Sequence, residues 1–266
     1  MRFEQIDINQ HYIFTMAHKL TVLPYIIKFS PKTPALSKIL NIYGFDLDHT
    51  IIQPKTPNVK FSRNADDWKF MKFGPEKFTI DKLIDIVVAD TDAQIVIFSN
   101  QGGIVSVPAT SKSCTKFTEK IQNMLKAIKE IPNGELLLDK LWIYASTKKP
   151  ASLFPTSKSF KKKGSTTDML GSSNEKNKVT KKPPSGVNAI KHIYTNALRP
   201  DLFTKMRKPN TGMFDYFNND ISSDEIKLNW KFYCGDAAGR KADFSDSDKI
   251  FAENLKVTFK LPEDVF

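Results

Sequence analysis

Three apolar runs in this 266-residue chain each stop abruptly at polar side chains, and this repetition narrows the possible folds more than any other feature. Ile42-Tyr43-Gly44-Phe45 runs into Asp46-Leu47-Asp48-His49-Thr50, and Gln94-Ile95-Val96-Ile97-Phe98 into Ser99-Asn100-Gln101-Gly102-Gly103. Trp230-Lys231-Phe232-Tyr233-Cys234 runs into Gly235-Asp236-Ala237-Ala238-Gly239-Arg240. Short apolar runs bounded by turn signals read as buried strands. Between them, Glu76 to Ala89 and Lys116 to Ile128 read as helices, the second with Phe117, Ile121, Met124, Leu125 and Ile128 at helical spacing. A last helix is expected to take Ser245 or Asp246 as its N-cap and to continue to Leu255. Helices alternating with strands give an α/β sheet covered on both faces. In such a sheet, ligand groups gather beyond the carboxyl ends of parallel strands, so the three polar ends are expected to converge on one crevice.

The chemistry of that crevice starts from Asp46 and Asp48. In an extended strand, residues two apart share a face, so both carboxylates point the same way while Leu47 turns to the core. Such a pair can hold a hard divalent cation, or supply one attacking carboxylate and one proton-transfer group. Asp-x-Asp also occurs in solvated turns after strands. Likewise, Met206-Arg207-Lys208-Pro209-Asn210-Thr211-Gly212-Met213-Phe214, a basic pair before a Pro/Gly turn and a short aromatic helix, reads on its own equally as an exposed basic loop.

The order of these segments is more specific than any one of them. Asp-x-Asp-x-Thr, then Ser-Asn after a strand, then Lys, then Gly-Asp after a strand, resembles the phosphatases of the haloacid dehalogenase superfamily. Within it, Phe98-Ser-Asn-Gln101, Arg207-Lys-Pro-Asn-Thr-Gly-Met213, Gly235-Asp-Ala-Ala-Gly-Arg240 and Asp243-Phe-Ser-Asp-Ser-Asp248 resemble the signature of the polynucleotide 3′-phosphatases. The stretch from Ile250 through Phe259 to Pro262-Glu263-Asp264-Val265-Phe266 is similar to the end of that domain. The likeness runs from Leu20 to Phe266 around one long insertion.

The resemblance implies a haloacid dehalogenase-like Rossmannoid parallel sheet with helices on both faces and a minimal cap or none. It also implies a Mg²⁺-dependent enzyme that hydrolyses the 3′-phosphate ends of broken DNA to 3′-hydroxyls through an aspartyl-phosphate. DNA repair in the nucleus, by a monomer bound to DNA with 3′-phosphate ends, is the implied setting. Carried over by position, the nucleophile falls on Asp46, the general acid/base on Asp48, the phosphate-orienting hydroxyl on Ser99 and the phosphate-binding lysine on Lys208. Asn100, Arg207 and Arg240 are the implied substrate-binding residues, and Asp46, Asp236 and the main-chain carbonyl of Asp48 the implied metal ligands. A carboxylate about 4 Å from a phosphate charge is repelled by roughly 4 kcal/mol at an effective dielectric near 20, so cations are needed on both sides of the phosphate. One position departs from the family pattern: His49 stands where glycine is usual. Glycine there permits unusual backbone angles, although His visits positive φ more readily than most residues.

The remaining sequence sets the boundaries. The chain is 40% hydrophobic, has no apolar stretch long enough to span a membrane, and contains two cysteines, Cys114 and Cys234, expected as free thiols. Leu20 to Phe29, interrupted by Pro24 and Lys28, reads as one early strand rather than a signal peptide. Residues 1–16 are expected to form a disordered extension. Residues 17–266 are expected to form one phosphatase domain, interrupted over 147–195 by a basic low-complexity insertion, also expected to be disordered. Thr147 to Pro184 carries ten lysines against Asp168 and Glu175, a net +8 within the chain's +11. That charge suits an electrostatic tether for DNA, and Lys161-Lys162-Lys163 with Lys181-Lys182 suits nuclear import. No Gly-x-x-x-x-Gly-Lys-Ser/Thr loop is present, so no 5′-kinase half is expected. Two other readings stay open: a small-molecule phosphatase of the same superfamily, although such enzymes typically carry Cys/His metal loops, and a catalytically weakened DNA-end binding protein, suggested by His49.

Overall fold

In a computed structural model, residues 18–34, 36–75, 77–154, 199–221, 223 and 225–266 are described. The strands are β1 (His18–Leu23), β2 (Ile26–Pro31), β3 (Ile39–Phe45), β4 (Ile52–Gln53), β5 (Lys69–Phe70), β6 (Ala93–Asn100), β7 (Leu141–Ser146), β8 (Lys227–Cys234) and β9 (Phe259–Lys260). The helices are α1 (Thr79–Ala89), α2 (Lys112–Lys129), α3 (Gly134–Leu138), α4 (Asp201–Met206), α5 (Gly212–Ile221), α6 (Ser247–Leu255) and α7 (Pro262–Val265). Seven strands form one sheet in the order β1-β2-β7-β6-β3-β8-β9. The pairs from β7 to β9 are parallel, and β1 and β2 add an antiparallel edge.

The expected α/β sheet is therefore present, and its burial explains the continuous apolar runs. Alternate residues of one strand serve opposite cores: Ile95 and Ile97 pack with Phe45, Leu83, Phe117 and Ile121, whereas Val96 and Phe98 pack with Ile42, Met213, Phe217 and Phe251. Helices α1 to α3 cover the first face and α4 to α6 the second, so neither face of the central strands meets water. Between β3 and α1, where a cap would be inserted, only the two-residue strands β4 and β5 pair.

Several boundaries differ from the sequence reading. Leu20 to Phe29 is not one strand but a hairpin, with Leu23 paired to Ile26 around Pro24-Tyr25. Proline has no amide hydrogen for a ladder, which makes position 24 a turn rather than a strand interior. Helix α2 begins four residues earlier than its apolar periodicity suggests, because its polar first turn is capped by Ser111, whose Oγ accepts from Cys114 N at 3.3 Å. Helix α1 begins later, at Thr79, with the Asp81 carboxylate accepting from Phe78 N. Asp246 does precede α6, although without a side-chain capping bond.

The first residues of the expected insertion, 147–154, pack against the fold. Thr147 is buried, with Oγ1 donating to Pro24 O at 2.7 Å, and Lys148 N donates to Ile104 O at 2.6 Å. The described chain continues to Phe154, whose ring meets Phe203 edge-on at 5.9 Å. The rest of the expected insertion, the lysine clusters proposed for nuclear import and residues 1–17 lie outside the described residues. Cys114 and Cys234 are free and buried, and no described helix is long and apolar enough to cross a membrane.

Candidate active site

Sheet order alone brings the three polar strand ends together. β3 lies between β6 and β8, so Asp46, Ser99 and Asp236 follow neighbouring parallel strands. Asp46 N donates to Cys234 O at 2.8 Å, extending the β3–β8 pairing by one residue beyond the strand end. Leu47 is fully buried, as the alternation requires. The chain then turns sharply: Ile51 N and Ile52 N both donate to Leu47 O, and His49 N to Ile52 O at 2.7 Å. His49 takes φ 63°, the left-handed conformation for which glycine is usual, and its Nε2 lies 2.8 Å from Lys60 O.

Asp46 enters a buried ionic knot. Lys208 Nζ, inaccessible to solvent, donates to Asp46 Oδ1 at 2.5 Å, to Asp248 Oδ1 at 2.6 Å and to the Tyr233 hydroxyl at 2.8 Å. Tyr233 OH lies 3.2 Å from Asp248 Oδ1, and the second Asp248 oxygen accepts from Ala237 N at 3.0 Å. Gly235 is required beside this aspartate, because a Cβ there would come within 2.5 Å of the Asp248 carboxylate. Asp46, Asp236 and Asp248 each offer a carboxylate oxygen within 4.8 Å of the others. Burial pushes Asp46 well above the usual carboxylate range, Lys208 opposes the shift, and Asp248 and Asp236 add to it. Asp236 is raised by burial and by Asp248. Burial works against the Lys208 ammonium, but Asp248 and Asp46 outweigh it and hold the ammonium above its ordinary range. Three carboxylates around one ammonium leave excess negative charge, and an all-oxygen set of this kind matches a hard divalent cation.

Asp48 has different neighbours. Its Oδ2 accepts from Gln101 Nε2 at 2.6 Å, and its Oδ1 lies 3.3 Å from Lys120 Nζ. Gln101 Nε2 also reaches Ser99 Oγ at 2.7 Å, tying Ser99 to Asp48. Lys120 comes from α2 and is only 6% exposed. The Asp48 side chain is thus turned away from the three-carboxylate cluster, in which Asp248 takes the third place.

The implied substrate-binding residues fall into different environments. Asn100 Oδ1 accepts from Lys208 N at 2.8 Å and its Nδ2 donates to Lys208 O at 3.0 Å, so Asn100 fixes the lysine's backbone. Arg240 is engaged within the protein: it pairs with Asp243 at 3.0 Å and with Glu263, and reaches Asp236 O at 3.3 Å. Arg207 is exposed and lies against Gly102, where a Cβ would sit 3.1 Å from Nη1. The sequence reading gave no role to Asp248, Tyr233, Gln101 or Lys120. A signal existed for Lys120, which stands three residues after Phe117 and four before Met124 on the apolar stripe of α2, where a lysine needs a buried partner.

The chain matches the family described as polynucleotide kinase 3 phosphatase over residues 41–266. It is 49% identical over 263 residues to the Polynucleotide 3'-phosphatase of Saccharomyces cerevisiae, spanning 94% of this chain and 99% of that protein. With the Polynucleotide 3'-phosphatase of Saccharomyces mikatae the identity is 47% over 263 residues, spanning 94% and 96%. Identity to the Bifunctional polynucleotide phosphatase/kinase of Schizosaccharomyces pombe is 26% over 242 residues, which is 91% of this chain but 40% of that one.

Proposed function

Because the chain belongs to the polynucleotide kinase 3 phosphatase family, we propose that it is a polynucleotide 3′-phosphatase that releases phosphate from 3′-phosphorylated DNA ends through a covalent aspartyl-phosphate on Asp46. The observation that carries this reading is the cluster at the end of β3, where Asp46 meets the Lys208 ammonium, which can receive a phosphate, beside the carboxylates of Asp236 and Asp248, which can hold a cation.

Asp46 attacks phosphorus in line and the bond to the 3′-oxygen breaks. Asp48, two residues on, gives its proton to that leaving oxygen. In the second half-reaction Asp48 takes a proton from water as the water attacks the aspartyl-phosphate, which restores both carboxyl groups. Lys208 neutralises phosphate charge, with its ammonium held by Asp248 and Tyr233 and its backbone by Asn100. The Ser99 hydroxyl, fixed through Gln101, orients a phosphate oxygen. Asp46, Asp236 and Asp248, with the Asp48 main-chain carbonyl, would hold Mg²⁺, and the bound ion supplies Lewis-acid neutralisation of the phosphate.

Among the described residues the candidate metal cluster consists of carboxylates alone, which favours this reading over the Cys/His-loop small-molecule phosphatases. His49 keeps the left-handed backbone at the family's glycine position, which argues against a weakened site. Action on DNA breaks, repair and a nuclear location belong to the same proposal. The deciding measurement compares turnover of a 3′-phosphorylated oligonucleotide, its 5′-phosphorylated isomer and p-nitrophenyl phosphate, with and without Mg²⁺. Mg²⁺-dependent preference for the 3′ end is expected. Equal or better turnover of the small ester would replace this reading with the small-molecule phosphatase.

A further inference from the structure

Two adjacent residues, Arg207 and Lys208, face opposite ways. Lys208 turns inward to Asp46 and Asp248, whereas Arg207 stays exposed beside Gly102. Outside this turn runs a groove of about 480 Å³, with Lys208 in its lining and Thr147, Lys148 and Lys149 along it. The groove thus starts at the phosphate-binding lysine and passes over the carboxyl ends of β6 and β7, where ligand sites of such sheets lie.

The start of its lysine segment is anchored through Thr147 and the backbone of Lys148. Thr147 is buried, with N donating to Tyr25 O at 3.3 Å and Oγ1 to Pro24 O at 2.7 Å, and Lys148 N donates to Ile104 O at 2.6 Å. Lys149 Nζ lies 5.0 Å from the centre of the Phe154 ring. Among the described residues, no carboxylate forms an ion pair with Lys148, Lys149 or Arg207, although the surface offers seven other such pairs outside the buried site. Three cations without a carboxylate partner among the described residues, lining one groove with the phosphate-binding lysine, favour a polyanion whose charges continue past the reacting one. The one aromatic in the groove lining, Phe203, is buried, so the groove offers charge and no exposed platform for base stacking.

Building on the polynucleotide 3′-phosphatase reading, we propose that this groove carries the sugar–phosphate backbone of the strand whose 3′-phosphate reaches Asp46. Lys148 and Lys149 bind its internucleotide phosphates beyond the terminal one. Recognition of this kind depends on strand length and salt but not on base sequence.

The test uses the full chain and a Lys148→Ala/Lys149→Ala double variant, with thymidine 3′-monophosphate and 3′-phosphorylated oligothymidylates of increasing length. The wild type should gain affinity as nucleotides are added behind the terminal one, and the variant should lose most of that gain while its kcat and KM on the mononucleotide stay unchanged. Each phosphate contact on a single strand contributes about 0.7 to the slope of log affinity against log salt, so the variant's slope should be shallower by about 1.4. A Lys148→Arg/Lys149→Arg variant should restore it. Unchanged slope and KM on the long substrate, or an equal loss on the mononucleotide, would overturn the assignment. Absence of 3′-end preference in the wild type would instead overturn the parent reading, so the two failures are distinguishable.

Discussion

Asp46 and Asp48 are two residues apart on the same strand end, yet their surroundings have little in common. Asp46 lies in a largely buried knot with a buried ammonium and a phenol, beside two further carboxylates of which Asp236 is partly exposed, and burial lifts it well above the carboxylate range. The Asp48 side chain is about one-fifth exposed and is held from the far side by an amide and by a lysine of α2. Two identical side chains can thus be given different work by neighbours drawn from distant parts of the chain. Sequence spacing supplies the pair, and tertiary structure differentiates it.

The largest expected effect comes from exchanging each carboxylate for an amide. Asp46→Asn should reduce turnover below about one per cent of wild type, because an amide cannot become the acyl-phosphate, while Asp48→Asn should lose roughly 10²- to 10⁴-fold through acid/base failure alone. Quenching both variants on ³²P-labelled substrate sharpens the contrast: labelled protein should accumulate with Asp48→Asn and be absent with Asp46→Asn. Label on Asp46→Asn would break the assignment of the nucleophile.

Removing Lys120 tests the Asp48 side only. Lys120→Met should slow single-turnover cleavage of the 3′-phosphorylated oligonucleotide by about tenfold, with KM nearly unchanged, because the Asp48 carboxyl loses one of the two groups that fix its position, although the ammonium by itself favours the charged carboxyl. The p-nitrophenolate burst should fall far less, because that leaving group needs no proton, and Lys120→Arg should recover most of the rate. Proportional losses on both substrates would mean that the lysine merely supports α2.

A smaller effect is expected on the Asp46 side from Tyr233→Phe, which removes one hydroxyl shared by Lys208 and Asp248. One hydrogen bond is worth about 1 kcal/mol, so kcat/KM should fall roughly fivefold on the oligonucleotide and on the small ester alike. Selective loss on one substrate would remove Tyr233 from the knot's support.

The least effect on catalysis is expected from His18, remote from both carboxylates in sequence and paired to Leu141 O at 2.8 Å. Burial pushes its ring down to about 4. The folded ring is therefore neutral where the unfolded one is already charged, and stability should fall as pH drops from about 6.5 to about 4, by roughly 3 kcal/mol in total. Urea titrations of wild type and His18→Gln across this window should converge at low pH, and a parallel pair of curves would rule the ring out.

Reading the chain alone yields the sheet, its two covered faces and the convergence of the strand ends at Asp46, Ser99 and Asp236, because apolar strands with polar ends state both the burial and the place where it stops. Lys208, by contrast, is placed there only by the family resemblance, and the Asp48 side chain turns away from the carboxylate cluster. The hairpin at Pro24-Tyr25 is marked by Pro24, but the apolar residues on both sides of it read as one continuous run. The first turn of α2 escaped because its cap is polar. Gln101 and Lys120 could not be assigned to Asp48 from spacing, since their contacts cross 53 and 72 residues. The lysines at 148 and 149 were counted with a tether on composition, whereas the backbone bonds of Thr147 and Lys148 make them part of the fold.

The edge-on contact of Phe154 with Phe203 has a practical consequence for protein engineering. It ties Phe154, eight residues beyond the end of β7, to Phe203 of α4, so these two chain positions are held together by their own rings. Loop closure costs only about 0.6 kcal/mol more for each doubling of length, so the chain between them should accept a fluorescent reporter or an affinity module with little strain transmitted to the sheet.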